Sequence, residues 1–347
     1  MRTRLLLLLA SLTALLPAGA AQDQPARSLV LWYRQPAGTW NEALPLGNGR
    51  LGAMVFGGVR DERIQLNEDT VWAGEIRDRN NPEGLKSLPE IRRLLFAGLV
   101  REAEALADKT IIAIPRRMPP YQTLGDLRLN FAGEGAVTDY VRNLDLDTAL
   151  ARVTYRQSGI LFTREIFCSA VDQVLVIRLA ADKPGKIAFT AALTRAQNAD
   201  SEAAGPDALL LRGQAILPAD QRGGERGVGV KFVAMVRAIP LGGRVRIEGK
   251  TSLVDSADSV TLLLAAATDY RHADPAAACR EQLAAATKPY ERLRAAHVAD
   301  YQRFFRRVSF HLSGPDRSDL PTDERLKALA RGEDDPGLVS LYFQYGR

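Results

Sequence analysis

Between residues 29 and 268, apolar residues occur in short runs that either alternate with polar residues or form short continuous blocks. Gly, Pro, Asn and Asp separate these runs. Alternation with a period of two is typical of strands that bury one face, and frequent turn residues are typical of antiparallel sheets. The pattern predicts a mainly β fold, with one large antiparallel β-sandwich domain. Its clearest strands are residues 51–56, 152–157, 161–168, 174–179, 187–193, 209–216, 228–238, 245–248 and 260–267.

A helical period occurs in two other places. The first is an insertion at residues 88–107, inside the β region. The second follows Asp274, where apolar residues recur every three or four positions, with Arg and Asp on the opposite face. Such a stripe predicts a helix that packs against a sheet. Its members are Tyr290, Leu293, His297, Tyr301, Phe304 and Val308.

The last forty residues predict one more strand and two more helices. The strand is expected at residues 308–312. A helix at residues 322–330 follows a proline-terminated turn, with Thr322 as its N-cap. A final apolar helix is expected at residues 337–347.

The first twenty residues have the features of an export signal. Arg2 and Arg4 precede an apolar run at residues 5–16, and small residues at 18–20 form a cleavage motif. The apolar run is shorter than the ~20 residues that span a bilayer, which favours a cleaved signal over a membrane anchor. We expect cleavage after Ala20, a periplasmic or secreted protein, and no membrane attachment afterwards.

Composition excludes several classes of protein. Of the 347 residues, 46% are hydrophobic and 25% charged, which argues against a disordered, collagen-like or coiled-coil chain. The net charge is only +5 and no basic block with interleaved aromatic residues occurs, so no nucleic-acid partner is expected. Three His and two Cys are too few for a Cys/His zinc site, and we expect neither a metal nor a cofactor. Cys168 and Cys279 could form one disulfide or remain two buried thiols, and the oligomeric state stays open.

The segment from Gly47 to Gly52 matches the letters of a dinucleotide-binding glycine motif. That motif needs a strand before it and a helix after it, so that the pyrophosphate meets the helix N-terminus. Here residues 53–58 have the pattern of a strand and a turn. We therefore interpret these glycines as turn and close-approach positions, and a turn that also shapes a pocket stays open.

The candidate chemistry lies in residues 65–72, which combine an amide, two carboxylates and an indole. Sugars favour such a mixture, because their C–H faces pack on aromatic rings while their hydroxyls need fixed polar partners. The candidate substrate-binding residues are Trp40, Asn67, Glu68 and Trp72. The alternative is a polar turn that only satisfies local backbone groups. Successive strand side chains point to opposite faces, so Glu68 and its neighbour Asp69 cannot be an acid/base pair.

Three other polar positions have structural interpretations. His297 lies within an apolar helical stripe, which favours a buried histidine at a core or domain boundary. Asp145 and Asp147 alternate with leucines and are typical of the solvated face of a strand.

Several stretches, taken in order, resemble the N-terminal part of glycoside hydrolase family 95, the inverting α-L-fucosidases. The most specific is residues 40–58, which read WNEALPLGNGRLGAMVFGG. The others are residues 31–33, 65–72, 121–127, 140–147, 300–301, 320–326 and 341–347.

After the export signal at residues 1–20, the resemblance implies a β-sandwich at 28–270, a helical linker at 271–312, and the first helices of a truncated (α/α)6 barrel at 313–347. It also implies hydrolysis of terminal α-1,2-linked L-fucose on a fucosylated oligosaccharide or polysaccharide. The family's catalytic groups belong to the barrel, so we expect no catalytic residue here, and expect those residues beyond Arg347. A stand-alone carbohydrate-binding module and an α-L-galactosidase of the same family are the alternatives.

Overall fold

The computed structural model describes residues 27–216 and 227–347, in which sixteen strands form two antiparallel sheets. Nine belong to one sheet, in the spatial order β1-β6-β7-β8-β9-β16-β13-β12-β11. Seven belong to the other, in the order β14-β15-β10-β5-β4-β3-β2. The predicted mainly β, two-layer sandwich is confirmed. The strands are β1 Val30–Tyr33, β2 Leu44–Gly47, β3 Leu51–Val55, β4 Asp61–Glu68, β5 Gly125–Asn130, β6 Val137–Asp145, β7 Leu150–Gln157, β8 Ile160–Ser169, β9 Val174–Ala181, β10 Ile187–Thr194, β11 Ala199–Ala203, β12 Ala208–Gln214, β13 Lys231–Leu241, β14 Arg244–Glu248, β15 Thr251–Ala257 and β16 Ser259–Thr268.

The nine-stranded sheet is covered on both faces, and its central strand β16 shows why. All ten residues of this strand are buried. Leu262 and Leu264 point into the core between the two sheets, whereas Leu263 and Ala265 belong to a second core beneath helices. Each fully buried leucine contributes about 1.5–3 kcal/mol. A strand that is buried on both faces has a continuous run of apolar residues in place of alternation. Residues 260–267 have this pattern in the sequence.

The described residues also form six α-helices. They are α1 Gly84–Phe96, α2 Val100–Thr110, α3 Pro275–Ala285, α4 Tyr290–Phe305, α5 Thr322–Ala330 and α6 Pro336–Gly346. Helices α1 and α2 form the insertion between β4 and β5, while α3 packs on β13 and β16, and α4 packs on β8. Helix α5 contacts β1 and α6.

The insertion is two helices rather than the single predicted one. Gly98, between α1 and α2, has a φ of +76°. This left-handed conformation ends a helix at little cost only for glycine. Ile91 and Leu94 of α1 pack against Ala103 of α2. The predicted apolar residues therefore share one small core, although the helix that carries them is interrupted.

Helix α4 buries a slightly different stripe from the predicted one. Phe304 is 52% exposed and Phe305 only 8% exposed, and the helix ends before Val308. The ring of His297 stacks on Phe167 of β8 with centroids 4.7 Å apart. Burial lowers the pKa of this imidazole, and its Nε2 lies 3.1 Å from the carbonyl oxygen of Thr148. His297 is the buried histidine that its place in the stripe predicts.

The predicted strand at residues 308–312 is wrong, because this segment lies along helix α6 and pairs with neither sheet. The Phe310 ring packs on Phe343, with centroids 4.8 Å apart, and Leu312 N donates to Ser340 Oγ at 2.9 Å. The Phe310 ring therefore packs on a helix, although Val308, Phe310 and Leu312 all stay exposed.

Thr322 is the first residue of α5 and not its N-cap, which is Pro321. The Thr322 hydroxyl oxygen instead accepts a hydrogen bond from Trp32 N of β1, at 3.0 Å. Asp145 and Asp147 do not lie on a solvated strand face. Asp145 is buried and accepts a hydrogen bond from the Thr148 hydroxyl, and Asp147 accepts one from Gln302 at 2.8 Å.

The two cysteines are free, buried thiols, which decides between the two alternatives. No helix within the described ranges is long and apolar enough to cross a membrane. The predicted signal peptide lies outside the described residues.

Candidate functional site

The candidate residues lie where strand β4 ends and the chain leaves the seven-stranded sheet. Along β4, Leu66 and Glu68 point inward and are buried, whereas Gln65 and Asn67 point outward. Asp69 follows the strand and is partly exposed. The period of two therefore separates Glu68 from its neighbours on both sides.

Glu68 is only 1% exposed and ties the end of β4 to the opposite sheet. One carboxylate oxygen, Oε2, accepts hydrogen bonds from the backbone N and the hydroxyl of Thr70. The Thr70 hydroxyl in turn contacts the hydroxyl of Thr268, at the end of β16. The other oxygen, Oε1, lies 3.5 Å from Arg50 and 3.4 Å from Arg271. Both carboxylate oxygens are thus occupied within the protein.

Asp69 forms the most regular ion pair of the site. Its two carboxylate oxygens accept hydrogen bonds from Nη1 and Nη2 of Arg271, at 2.8 and 2.7 Å. This bidentate geometry fixes the orientation of both side chains. Burial works against ionisation of Asp69, but the hydrogen bonds and charge of Arg271 outweigh it and hold the pKa of this carboxyl below its ordinary value.

The glycine-rich segment forms the predicted turn, which joins β2 and β3 as a hairpin. Gly49 has a φ of +91°, and Asn48 Oδ1 accepts hydrogen bonds from the backbone N of Arg50 and Leu51. The Arg50 guanidinium crosses to the other sheet, where Nη1 donates to the carbonyl oxygen of Ala266 at 2.6 Å. A strand, not a helix, follows these glycines, which removes the basis for dinucleotide binding.

A cavity of about 710 Å³ opens beside the Asp69–Arg271 pair, and we call it the Trp72 cavity. Trp72 and Tyr270 are exposed aromatic residues in its wall. The cavity therefore combines apolar rings with fixed charges. It is lined by residues 69–70, 72–77, 79, 118–119, 228–230 and 269–271.

Trp72 is held by its neighbours although it is 39% exposed. Its Nε1 donates to the carbonyl oxygen of Asp69 at 3.2 Å, and its ring meets Tyr121 edge to face, with centroids 5.3 Å apart. The Tyr121 hydroxyl donates to the carbonyl oxygen of Glu68 at 2.8 Å. Burial raises the pKa of Tyr121 to about 12, so this phenol stays a neutral donor.

A second depression of about 500 Å³ lies on the other side of Tyr121, and we call it the Trp40 groove. Trp40 belongs to a short 3-10 turn, Trp40–Glu42, and its Nε1 donates to Gln65 Oε1 at 2.6 Å. Asn67 lines the same groove. The groove is lined by residues 45–46, 52–54, 65, 67, 121 and 123, together with Trp40.

The structure thus divides the four candidate residues. Trp40 and Asn67 line the groove, Trp72 lines the cavity, and Glu68 is buried between them. Sugar binding by these residues stays a prediction. The sequence-based prediction missed Arg271, whose only signal in the sequence is its position in the turn after the long apolar strand β16, Ser259–Thr268.

Within residues 27–216 and 227–347, no group of three or more His, Cys, Asp or Glu side chains could hold a metal ion.

Residues 31–273 match the family model described as glycosyl hydrolase family 65, N-terminal domain, and residues 289–347 match that of the glycosyl hydrolase family 95 catalytic domain. Alpha-L-fucosidase 2 of Arabidopsis thaliana is 35% identical over 93% of this chain and 42% of its own length. A probable alpha-fucosidase A of Aspergillus niger is 28% identical over 97% of this chain and 44% of its own length. The chain therefore spans less than half the length of these relatives.

Proposed function

We propose that this chain, which belongs to the glycosyl hydrolases, is part of an α-L-fucosidase. It combines a family 65 N-terminal domain with family 95 sequence, and the resemblance predicted only the second of these families. The complete enzyme would hydrolyse terminal α-1,2-linked L-fucose on glycans with inversion at the anomeric carbon. The names of the curated relatives support the sugar, and the family 95 match supports the reaction class.

One observation supports a direct role of the described residues in sugar binding. In the Trp72 cavity, the bidentate Asp69–Arg271 pair fixes the loop from which Trp72 projects. A fixed aromatic face beside oriented polar groups is the arrangement that sugars need, because a pyranose has an apolar face and a rim of hydroxyls. We infer that this cavity contributes a wall to the substrate site of the complete enzyme.

Asp69 has the wrong electrostatics for the general acid of this reaction. In an inverting glycosidase, one carboxylic acid protonates the leaving oxygen while a base activates water on the opposite face of the sugar. The acid needs a raised pKa, whereas the pKa of Asp69 is lowered by Arg271. We propose that Asp69 positions the cavity wall, and that the acid and base lie beyond Arg347 in the family 95 catalytic domain.

The test is incubation of the full-length protein with 2′-fucosyllactose, followed by NMR of the anomeric protons. Water should replace lactose at the anomeric carbon, so β-L-fucose should appear first and its α anomer only by later mutarotation. Initial release of α-L-fucose would overturn the inverting mechanism. Absence of any fucose release, with sugar binding retained, would favour a carbohydrate-binding module.

We also propose that the protein is exported, on the basis of the charged, apolar and small-residue segments at residues 1–20. Sequencing the N-terminus of the protein recovered from its host should give Ala21 as the first residue. Recovery of a chain that begins at Met1 would contradict cleavage.

A further inference from the structure

All side chains that line the Trp40 groove are uncharged, although a quarter of the residues in this chain carry a charge. The groove presents two aromatic residues, two amides and a threonine around an apolar floor. The neighbouring Trp72 cavity differs, since Asp69, Asp269 and Arg271 are among its lining residues. The two depressions therefore favour ligands of different charge.

The aromatic face of the groove is rigidly held. Trp40 is 54% exposed, yet its indole is hydrogen-bonded to Gln65 and its turn is closed by Glu42, which accepts from the backbone N of Gly38 at 2.7 Å. The buried Arg142 donates to the carbonyl oxygen of Glu42 at 2.6 Å. A ligand would meet a preformed surface and would pay little entropy to order it.

Asn67 supplies the polar edge of the groove. It lies two residues after Gln65 on the same outward face of β4, and its side chain is exposed. Among the described residues, no hydrogen bond engages its side-chain amide, which offers both a donor and an acceptor to a hydroxyl group.

The groove and the Trp72 cavity are adjacent. Tyr121 lines the groove, Trp72 lines the cavity, and their rings are in edge-to-face contact. Asn67 and Asp69, on either side of the buried Glu68, line one depression each. A branched or extended glycan could therefore occupy both.

Resting on the proposed function, we propose that the Trp40 groove binds the uncharged sugar chain that carries the fucose, and that it selects neutral glycans against acidic ones. A carboxylate or sulfate in the groove would lose water without gaining an opposite charge, which is unfavourable. A neutral hexose would instead place its C–H face on Trp40 and its hydroxyls toward Asn67 and Gln65.

Binding can be measured without catalysis, because the chain has three tryptophans and hence three indole N–H signals in a nitrogen-15 NMR spectrum. Lactose, the product left after removal of fucose from 2′-fucosyllactose, is the neutral probe, and 3′-sialyllactose is its acidic counterpart. The Trp40 indole signal should shift with rising lactose and should need at least about tenfold more 3′-sialyllactose for the same shift. The Trp32 indole, which donates to the carbonyl oxygen of Ser318 at 3.1 Å, serves as the internal reference. An unmoved Trp40 signal, or equal shifts with both probes, would overturn the proposal.

Activity of the full-length protein gives the second measurement. Trp40→Ala should lower kcat/KM for 2′-fucosyllactose about tenfold and leave kcat/KM for 4-nitrophenyl α-L-fucoside unchanged, because the nitrophenyl group does not extend along the groove. Phe96→Ala, which removes an aromatic side chain that is 91% exposed on α1, is the matched control and should change neither value. Equal losses on both substrates would contradict a role in binding the sugar chain. Inactivity of the wild type on both substrates would refute the proposed function alone, since the NMR titration still decides whether the groove binds lactose.

Discussion

Replacing Trp72 by alanine separates a substrate-binding role from a purely structural one. The variant loses the edge-to-face contact with Tyr121 and the hydrogen bond to the carbonyl oxygen of Asp69. Each is worth about 0.5–1.5 kcal/mol, so the free energy of unfolding should fall by roughly 1–3 kcal/mol. This corresponds to a Tm lower by several degrees.

The exposed face of Trp72 gives a second, independent effect. If a pyranose packs on this ring, its loss should cost about 0.5–1.5 kcal/mol of binding, which is roughly a two- to twelvefold higher KM for 2′-fucosyllactose. Initial rates of the full-length enzyme should be measured well below the Tm of the variant, so that unfolding does not contribute to KM. Trp72→Phe, which keeps a ring but loses the indole N–H, should give an intermediate KM.

The decisive result is the combination of the two measurements. A lower Tm with an unchanged KM would reduce Trp72 to a structural side chain and would refute the assignment of the cavity to the substrate. Phe96→Ala, which truncates an exposed aromatic residue that lines neither depression, controls for non-specific effects.

Three further predictions concern charge and burial. Arg271→Met should lower the Tm most at neutral pH, because the pKa of Asp69 is held below its ordinary value of 3.8 and the ion pair stabilises the fold only while this carboxyl is ionised. A Tm difference between wild type and variant that is as large at pH 3 as at pH 7 would contradict this. Arg164→Leu should lower the free energy of unfolding in urea by about 3–5 kcal/mol, because it removes the partner of the buried Glu62 carboxylate, which lies 2.8 Å from Arg164 Nη1. The double variant with leucine at both positions should recover much of this loss. Both cysteines should react with a thiol reagent at pH 8 only after unfolding, because burial raises the pKa of both thiols to about 12, and reaction in the native state would contradict that burial.

The sequence predicts the β-sandwich well because strand patterning is local. Alternation along residues 61–68 sets which side chains point outward, and it correctly separates Glu68 from Asp69. The predictions fail where the same pattern has another cause. The apolar residues at 308–312 alternate as a strand would, but they stay exposed beside α6, where the Phe310 ring packs on Phe343. The sequence of five residues does not show whether a sheet or a helix lies next to them.

The partners of the two carboxylates at residues 68–69 could not be predicted from the sequence, because they depend on how two sheets pack. Arg271 reaches Asp69 across 202 positions of sequence, and Thr268 meets Thr70 across 198. The members of each pair belong to the ends of strands in different sheets, so their contact follows from the relative placement of β4 and β16 rather than from any spacing along the chain. In the sequence, Arg271 is one of 46 basic residues and follows an apolar strand as many surface arginines do. Patterning therefore predicts which groups are available on each strand, whereas the sandwich packing decides which of them form one site.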